Sequence, residues 1–139
     1  MKRSILISIS LAVLIVLITG IYFISKNFGS YNVDGVKVQI QSQGDGNESK
    51  KGDLLTLHYT GMLENGQTFD SSYDRNSPIT FILGEENVIK GFDTGVTGMK
   101  VGEKRKITIP PDLGYGEIEF AGIPANSVLI YEVELLSIN

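Results

Sequence analysis

Alternating apolar and polar residues predict several short β-strands between residue 36 and the C-terminus. In such a stretch every second side chain faces the same side, which is the period of a half-buried strand. An Asn65-Gly66 pair indicates a hairpin turn between two of the stretches, and Pro110-Pro111 ends another. The predicted strands cover residues 36–40, 55–60, 68–69, 79–83, 104–109 and 129–136.

Only one segment of this region has the spacing of a helix. Its apolar residues fall at positions i, i+1, i+4 and i+8, which places them on one helical face. They are Val88, Ile89, Phe92 and Val96. Gly91 and Gly95 weaken this helix, so we expect it to last two to three turns.

Many strands and a single helix predict the fold class α+β. The expected architecture is a curved antiparallel β-sheet of about five strands wrapped around one short α-helix. A parallel sheet would need a crossover connection, usually a helix, between its strands. The sequence has too few helical segments for that arrangement, so parallel βαβ units are excluded.

Residues 5–24 are twenty consecutive residues without a charge. As an α-helix they would extend about 30 Å, the thickness of the hydrocarbon core of a bilayer. We therefore predict a single transmembrane helix ahead of the sheet domain. Residues 1–30 would hold the N-terminal tip, the anchor and a polar tether, which continues to residue 34, and residues 31–139 would form the soluble domain.

A cleaved signal peptide is the alternative to a retained anchor. The apolar stretch of a signal peptide is shorter, roughly 7–15 residues, and ends in a small-residue cleavage site, which residues 21–27 lack. Lys2 and Arg3 favour a cytoplasmic N-terminus. We therefore expect a single-pass protein of the cell membrane with its C-terminal domain outside the cytoplasm, or a secreted domain if the segment is cleaved.

Charge and composition exclude several classes of function. The net charge of −4 combines +3 from residues 1–30 with −7 from residues 31–139, and an acidic domain does not suit nucleic acid. The chain has no Cys and a single His, His58. A disulfide framework, a cysteine nucleophile and a multi-histidine metal site are therefore excluded, and we expect no metal, no cofactor and no nucleic-acid partner.

The residues that remain for chemistry are mostly aromatic. The sequence lacks a G-x-S-x-G nucleophile motif, an H-E-x-x-H zinc motif and a phosphate-binding G-x-x-x-x-G-K-[ST] loop. A small sheet over one helix would gather aromatic side chains near one apolar cleft, which is typical of a ligand site. The aromatic residues in question are Tyr59, Phe69, Phe81, Phe92, Tyr115 and Tyr131.

Seven short motifs in this region resemble the FKBP-type peptidyl-prolyl isomerases. They lie in order, with nearly the family's spacing, over about residues 36–138. The motifs are HYTG at 58–61, GQTFDSS at 66–72, VIKGF at 88–92, MKVGE at 99–103, LGYG at 113–116, IPANS at 123–127 and YEVEL at 131–135. The fold that this resemblance implies, a curved antiparallel sheet around a single helix, agrees with the pattern of strands.

The resemblance also implies a pocket. Catalytic roles would fall to Asp70, to the hydroxyl of Tyr115 and to the backbone N–H of Ile89, which would bind a substrate carbonyl. Asp70, paired with Arg75, is either a carboxylate near the rotating carbonyl or part of a structural salt bridge in a turn. The substrate-binding residues would be Tyr59, Phe69, Arg75, Phe81, Val88, Phe92, Ile123 and Tyr131.

Three positions depart from the family's pattern. Ile79 stands where an aromatic residue is frequent, and Phe92, the expected floor of the pocket, stands where many members have Trp. Tyr131 replaces the common Phe and adds a hydroxyl to the pocket wall.

The implied activity needs none of the chemistry that the sequence lacks. Rotation about an Xaa–Pro bond has a barrier of about 18–20 kcal/mol, which comes from amide resonance. An apolar pocket would lower that barrier without a nucleophile, metal or cofactor. The expected partners are proline-containing unfolded or exported polypeptides. The N-terminal helix would anchor the protein in the membrane. The alternative is a non-catalytic module of the same fold that binds proline motifs or apolar segments.

Overall fold

A computed structural model describes residues 14–15 and 28–139. In residues 28–139 the chain forms nine strands, one α-helix, α1 (Lys90–Val96), and a 3-10 turn at Pro111–Leu113. The strands are β1 (Ser30–Val33), β2 (Val36–Ser42), β3 (Asp45–Glu48), β4 (Leu54–Leu63), β5 (Thr68–Ser71), β6 (Ile79–Ile82), β7 (Lys100–Val101), β8 (Lys104–Ile109) and β9 (Leu129–Ile138).

Seven of these strands form one antiparallel sheet, in the order β1-β2-β8-β9-β4-β5 with β6 also paired to β4. Strand β4 is long enough to pair with β6 along its first half and with β5 along its second, while β9 pairs with its other edge. β3 and β7 form a separate antiparallel pair. The predicted antiparallel sheet over one helix is confirmed, but the count of about five strands was too low.

The core lies between this sheet and α1. In β4 the apolar side chains of Leu55, Leu57 and Tyr59 are buried, as their alternation predicts. His58 lies on the opposite face, where its ring stacks on Tyr73 with 4.3 Å between centroids. From the helix, Phe92 and Val96 enter the core, so α1 covers the sheet with only two large apolar side chains.

The helix is shorter than its apolar pattern indicates. Val88 and Ile89, predicted as its first turn, precede it, because Ile89 has an extended ψ of 147° and the helix begins at Lys90. Gly91 and Gly95 bring α1 close to the sheet. A Cβ on Gly95 would lie 2.5 Å from Cγ2 of Ile107, and one on Gly91 would lie 2.3 Å from Cγ2 of Ile109.

One prediction about the N-terminal half needs correction, and one strand there was not predicted. Ser30–Val33, within the predicted tether, forms strand β1 and pairs with β2 through backbone hydrogen bonds. Asp45–Glu48, which no predicted strand covers, forms β3, where Gly46 has a φ of +87° and the pairing with β7 is irregular.

The predicted membrane span at residues 5–24 lies outside the described residues, except for Leu14 and Ile15, which are helical. Among the residues that the structure describes, no helix has both the length and the apolar composition needed to cross a membrane.

Candidate functional site

A cavity of about 180 Å³ opens between the sheet and the start of α1. It is smaller than the pockets of about 300–1,000 Å³ that hold drug-sized ligands. Its size therefore suits a single ring or side chain from a longer ligand that continues outside. The lining residues are Tyr59, Asp70, Ile79, Asn87, Val88, Ile89, Phe92, Tyr115 and Tyr131.

Phe92 forms the floor of the cavity and is only 3% exposed. Its ring meets Tyr131 edge-to-face with 5.0 Å between centroids and Tyr59 edge-to-face with 6.0 Å. Phe81 lies against it from below, at 6.1 Å. Edge-to-face contacts are a preferred arrangement of aromatic rings, so Tyr59 and Tyr131 support the orientation of the Phe92 ring.

Gly61 leaves room for the ring of Phe69 to pack on the ring of Tyr131. It lies opposite Asp70 of β5 on one side and opposite Tyr131 of β9 on the other. A Cβ at Gly61 would lie 2.7 Å from the Phe69 ring and 3.0 Å from Cε1 of Tyr131. Without that atom Phe69 packs edge-to-face on Tyr131 at 5.6 Å, a second ring contact on Tyr131 besides that of Phe92.

One wall of the cavity carries a hydrogen-bonded polar group. Tyr59 donates its hydroxyl hydrogen to Oδ2 of Asp70, and Nη1 of Arg75 donates to Oδ1 of the same carboxylate. Nη2 of Arg75 also donates to the Tyr59 hydroxyl oxygen, at 3.0 Å. The carboxylate is therefore held by a neighbour within the sheet and by a neighbour in the following loop.

These contacts keep Asp70 charged and Tyr59 protonated. Burial alone would raise the pKa of the Asp70 carboxyl, but hydrogen bonds from Tyr59 and Arg75 outweigh it, and the pKa is lowered. Burial and the hydrogen bond to Asp70 raise the pKa of the Tyr59 hydroxyl. Both groups thus keep a single protonation state at neutral pH.

Tyr115 closes the cavity on another side, after the 3-10 turn. Its ring stacks on Phe120 with 4.6 Å between centroids and 17° between planes. Phe120 is 51% exposed and belongs to a turn in which Phe120 and Ile123 exchange both backbone hydrogen bonds. Burial and the charge of Asp70 raise the pKa of the Tyr115 hydroxyl, which therefore remains a hydrogen-bond donor.

Ile89 and Val88 form the edge of the cavity nearest to the helix. Both are half-buried and pack against the core. Within residues 28–139 the backbone N–H of Ile89 has no hydrogen-bond partner, while its carbonyl oxygen accepts from Phe92 and Asp93. That N–H is available to a ligand carbonyl, the role that the resemblance implies for it.

The structure brings most of the predicted site residues to this cavity and leaves others behind it. Phe69 and Phe81 support the rings that line it, and Arg75 contacts Asp70 and Tyr59. Ile123 is only 2% exposed and belongs to the core. Ile79 and Asn87 also line the cavity. Neither belongs to the predicted site residues, and Ile79 was noted only as a departure from the family's pattern.

The side chains of the cavity provide the kinds of contact needed to bind a peptide group and change its orientation. The cavity offers apolar rings and hydroxyl donors, together with a carboxylate whose oxygens already accept hydrogen bonds. Within the part of the chain that the structure describes, no group of three or more His, Cys, Asp or Glu could hold a metal ion.

Comparison with known proteins gives the same family that the motifs resemble. The model of the FKBP-type peptidyl-prolyl cis-trans isomerase family matches residues 46–136. A peptidyl-prolyl cis-trans isomerase of Schizosaccharomyces pombe is 52% identical over 107 residues, which cover 76% of this chain and 96% of that protein. An FK506-binding protein of Neisseria meningitidis is 51% identical over 105 residues, or 75% of this chain and 96% of that protein.

Solved structures also share the fold. FkpA from Escherichia coli superposes with a TM-score of 0.74 at 37% identity, over 85% of this chain and 55% of that one. This chain thus corresponds to little more than half of FkpA. AtFKBP13 superposes with a TM-score of 0.68 at 40% identity, over 74% of this chain and 92% of that one.

Proposed function

The chain belongs to the FKBP-type peptidyl-prolyl cis-trans isomerases, and we propose that it works outside the cytoplasm on exported polypeptides while residues 5–24 hold it in a membrane. It accelerates the rotation of Xaa–Pro bonds, and its substrates are proline-containing polypeptides. The relative from Schizosaccharomyces pombe, named for the isomerase activity, favours this enzyme over a non-catalytic binding module.

The observation that carries the mechanism is the aromatic floor that Phe92 gives to the cavity, between the rings of Tyr59 and Tyr131. Amide resonance places negative charge on the carbonyl oxygen and positive charge on nitrogen, and the twisted transition state loses this separation. Transfer from water into apolar surroundings therefore costs the planar state more than the twisted one. A thousandfold acceleration needs only about 4 kcal/mol of such differential stabilisation.

The polar residues of the site would position the substrate beside that floor. The Ile89 N–H and the Tyr115 hydroxyl, both without a partner among the described residues, would hold carbonyl oxygens of the peptide. The proline ring would enter between the rings of Tyr59, Phe92 and Tyr131. Asp70 is charged in the folded state, and its negative field would lie near the carbonyl that rotates.

The proposed location is supported by the sequence of the N-terminal region. Twenty residues without a charge match the thickness of a bilayer. Lys2 and Arg3 precede them, a distribution that favours a cytoplasmic N-terminus. The acidic domain of residues 31–139 would then meet polypeptides as they fold on the outer side of the membrane.

Two measurements on cells that express the full chain test this location. Mass spectrometry of the mature protein should find a start near Met1, and a start between residues 27 and 33 would show that the segment is cleaved. Protease added to intact cells should digest the C-terminal domain. A domain that is digested only after the membrane is permeabilised would place it in the cytoplasm and contradict the proposal.

A further inference from the structure

Tyr131 carries a hydroxyl into the wall of the cavity on a ring that has little freedom to move. The residue is 6% exposed. Its backbone lies in β9 between β4 and β8, opposite Gly61 and Ile107. Phe92 and Phe69 both meet its ring edge-to-face, at 5.0 and 5.6 Å. The direction of the C–O bond is therefore determined by packing.

The hydroxyl itself has no hydrogen-bond partner in the part of the chain that the structure describes. Among residues 28–139, no backbone or side-chain group forms a hydrogen bond with it; the nearby Asp70 accepts from Tyr59 and Arg75 instead. In the same part of the chain, every fully buried side-chain oxygen or nitrogen has a hydrogen-bond partner. The Tyr131 hydroxyl has no such partner, so it is not among the fully buried atoms. It opens instead onto the cavity that its residue lines.

The hydroxyl keeps the hydrogen that it needs to act as a donor at this position. Burial is the main cause that raises the pKa of Tyr131, and the nearby Tyr115, Tyr59 and Asp70 raise it further. It therefore stays protonated at neutral pH. The nitrogen of an Xaa–Pro bond carries no hydrogen, so a substrate offers only acceptors at the bond that rotates.

We propose that the Tyr131 hydroxyl donates a hydrogen bond to a carbonyl oxygen of the bound Xaa–Pro segment. This contact deepens the isomerase function and rests on it. It makes Tyr131 a third donor of the site, in addition to the Tyr115 hydroxyl and the Ile89 N–H. Family members with Phe at this position, as the sequence motifs imply, lack the atom that makes the contact.

The kinetic effect depends on which carbonyl accepts. The carbonyl of proline itself keeps its orientation while the bond before it rotates, so a hydrogen bond there stabilises ground and transition states equally and lowers KM. The carbonyl of the residue before proline changes its orientation during rotation. A hydrogen bond that forms only in the twisted orientation raises kcat.

The test compares the full chain with its Tyr131→Phe variant on three versions of one peptide. One version has normal carbonyl groups, one has sulfur in place of oxygen before proline, and one has sulfur at the prolyl carbonyl, because sulfur is a poorer acceptor. On the normal peptide we expect the variant to lose about two- to tenfold in kcat/KM, the range of one neutral hydrogen bond. That loss should nearly vanish on one of the sulfur peptides.

A matched control is Tyr73→Phe, which removes a tyrosine hydroxyl from the outer face of the sheet, where it donates to Glu134. This control should turn over all three peptides like the wild type. Equal losses of Tyr131→Phe on the three peptides, or no loss on any, would overturn the proposal. A wild-type chain without activity on the normal peptide would instead overturn the isomerase function, so the two failures are distinguishable.

Discussion

The Tyr59 hydroxyl donates a hydrogen bond to Oδ2 of Asp70 across the pair of strands β4 and β5. Each residue lines the cavity, so this contact joins the apolar wall to the charged one. Arg75, from the loop after β5, contacts both partners. A tyrosine that the core holds in place therefore helps to position the negative charge of the site.

The first prediction concerns the ionisation of Asp70. Its pKa should lie below the ordinary value of 3.8, because Tyr59 and Arg75 stabilise the carboxylate. Folding lowers this pKa, so the associated stability is present above the ordinary value and is lost as the pH falls through the folded-state pKa. In Tyr59→Phe one donor is absent and the pKa should rise. NMR titration of the carboxyl carbon measures both values.

Tyr73→Phe serves as the control for that titration, because its hydroxyl contacts Glu134 and not Asp70. The pKa of Asp70 should be the same in this variant as in the wild type. A wild-type Asp70 that titrates at or above 3.8 would contradict the hydrogen-bonded arrangement of the site.

The second prediction separates the two roles left open for Asp70. Asp70→Asn keeps the shape of the side chain and removes its charge, so a carboxylate that acts on the rotating carbonyl should lose about three- to tenfold in kcat/KM. This range, about 0.7–1.4 kcal/mol, lies below that of hydrogen bonds to charged groups, because the side chain is partly exposed. Turnover of an Xaa–Pro peptide and urea unfolding should be measured together.

Asp74→Asn, a change at an exposed acid in the same loop, should leave both measurements unaltered. A loss of stability in Asp70→Asn with unchanged kcat/KM would identify a structural salt bridge. If neither quantity changes, Asp70 has no part in catalysis or in folding.

The third prediction concerns the close contact between α1 and the sheet. Gly95→Ala should destabilise the fold by about 1–3 kcal/mol, because the new methyl group would overlap the Ile107 side chain. Helix propensity alone predicts the opposite effect on stability, since it favours Ala over Gly by about 1 kcal/mol. Gly29→Ala, where no atom lies within 4 Å of the new Cβ, is the control. A more stable Gly95→Ala would show that the helix packs less closely than described.

The strands that the sequence predicted are those with a regular alternation of side chains. Strand β4 is the clearest of them, since nearly every second residue is buried. Strand β1 and strand β3 have no such pattern, because Ser30–Val33 and Asp45–Glu48 are largely exposed. They are strands because other segments supply backbone partners, and this tertiary information is absent from a local pattern of residues.

The site could be predicted only in part for a similar reason. Motifs pointed to Tyr59, Phe92 and Tyr115, whose residue types stand out. Ile79 stood out only as a departure from the family's pattern, not as a lining residue, and Asn87 lies in a loop without a motif. Their place at the cavity follows from how β6 and the segment before α1 come together, which no spacing along the chain expresses.

The orientation of a side chain is a second limit. The sequence shows that Tyr131 has a hydroxyl, but the direction of that group depends on the packing of Phe69 and Phe92 and on the missing side chain of Gly61. The backbone of the turn beside Tyr115 was also not predictable from the sequence, because Ala121 adopts a φ of 48° that an alanine seldom takes.

The most direct test of the account is the rate of cis–trans exchange in an Xaa–Pro peptide, measured by NMR or by a protease-coupled assay with the full-length chain in detergent. A cavity with an aromatic floor and positioned donors should accelerate exchange at micromolar or lower protein, without added metal or cofactor. Phe92→Ala should reduce the acceleration strongly by removing the floor of the cavity. No acceleration by the folded wild-type chain at micromolar concentration would contradict the central claim.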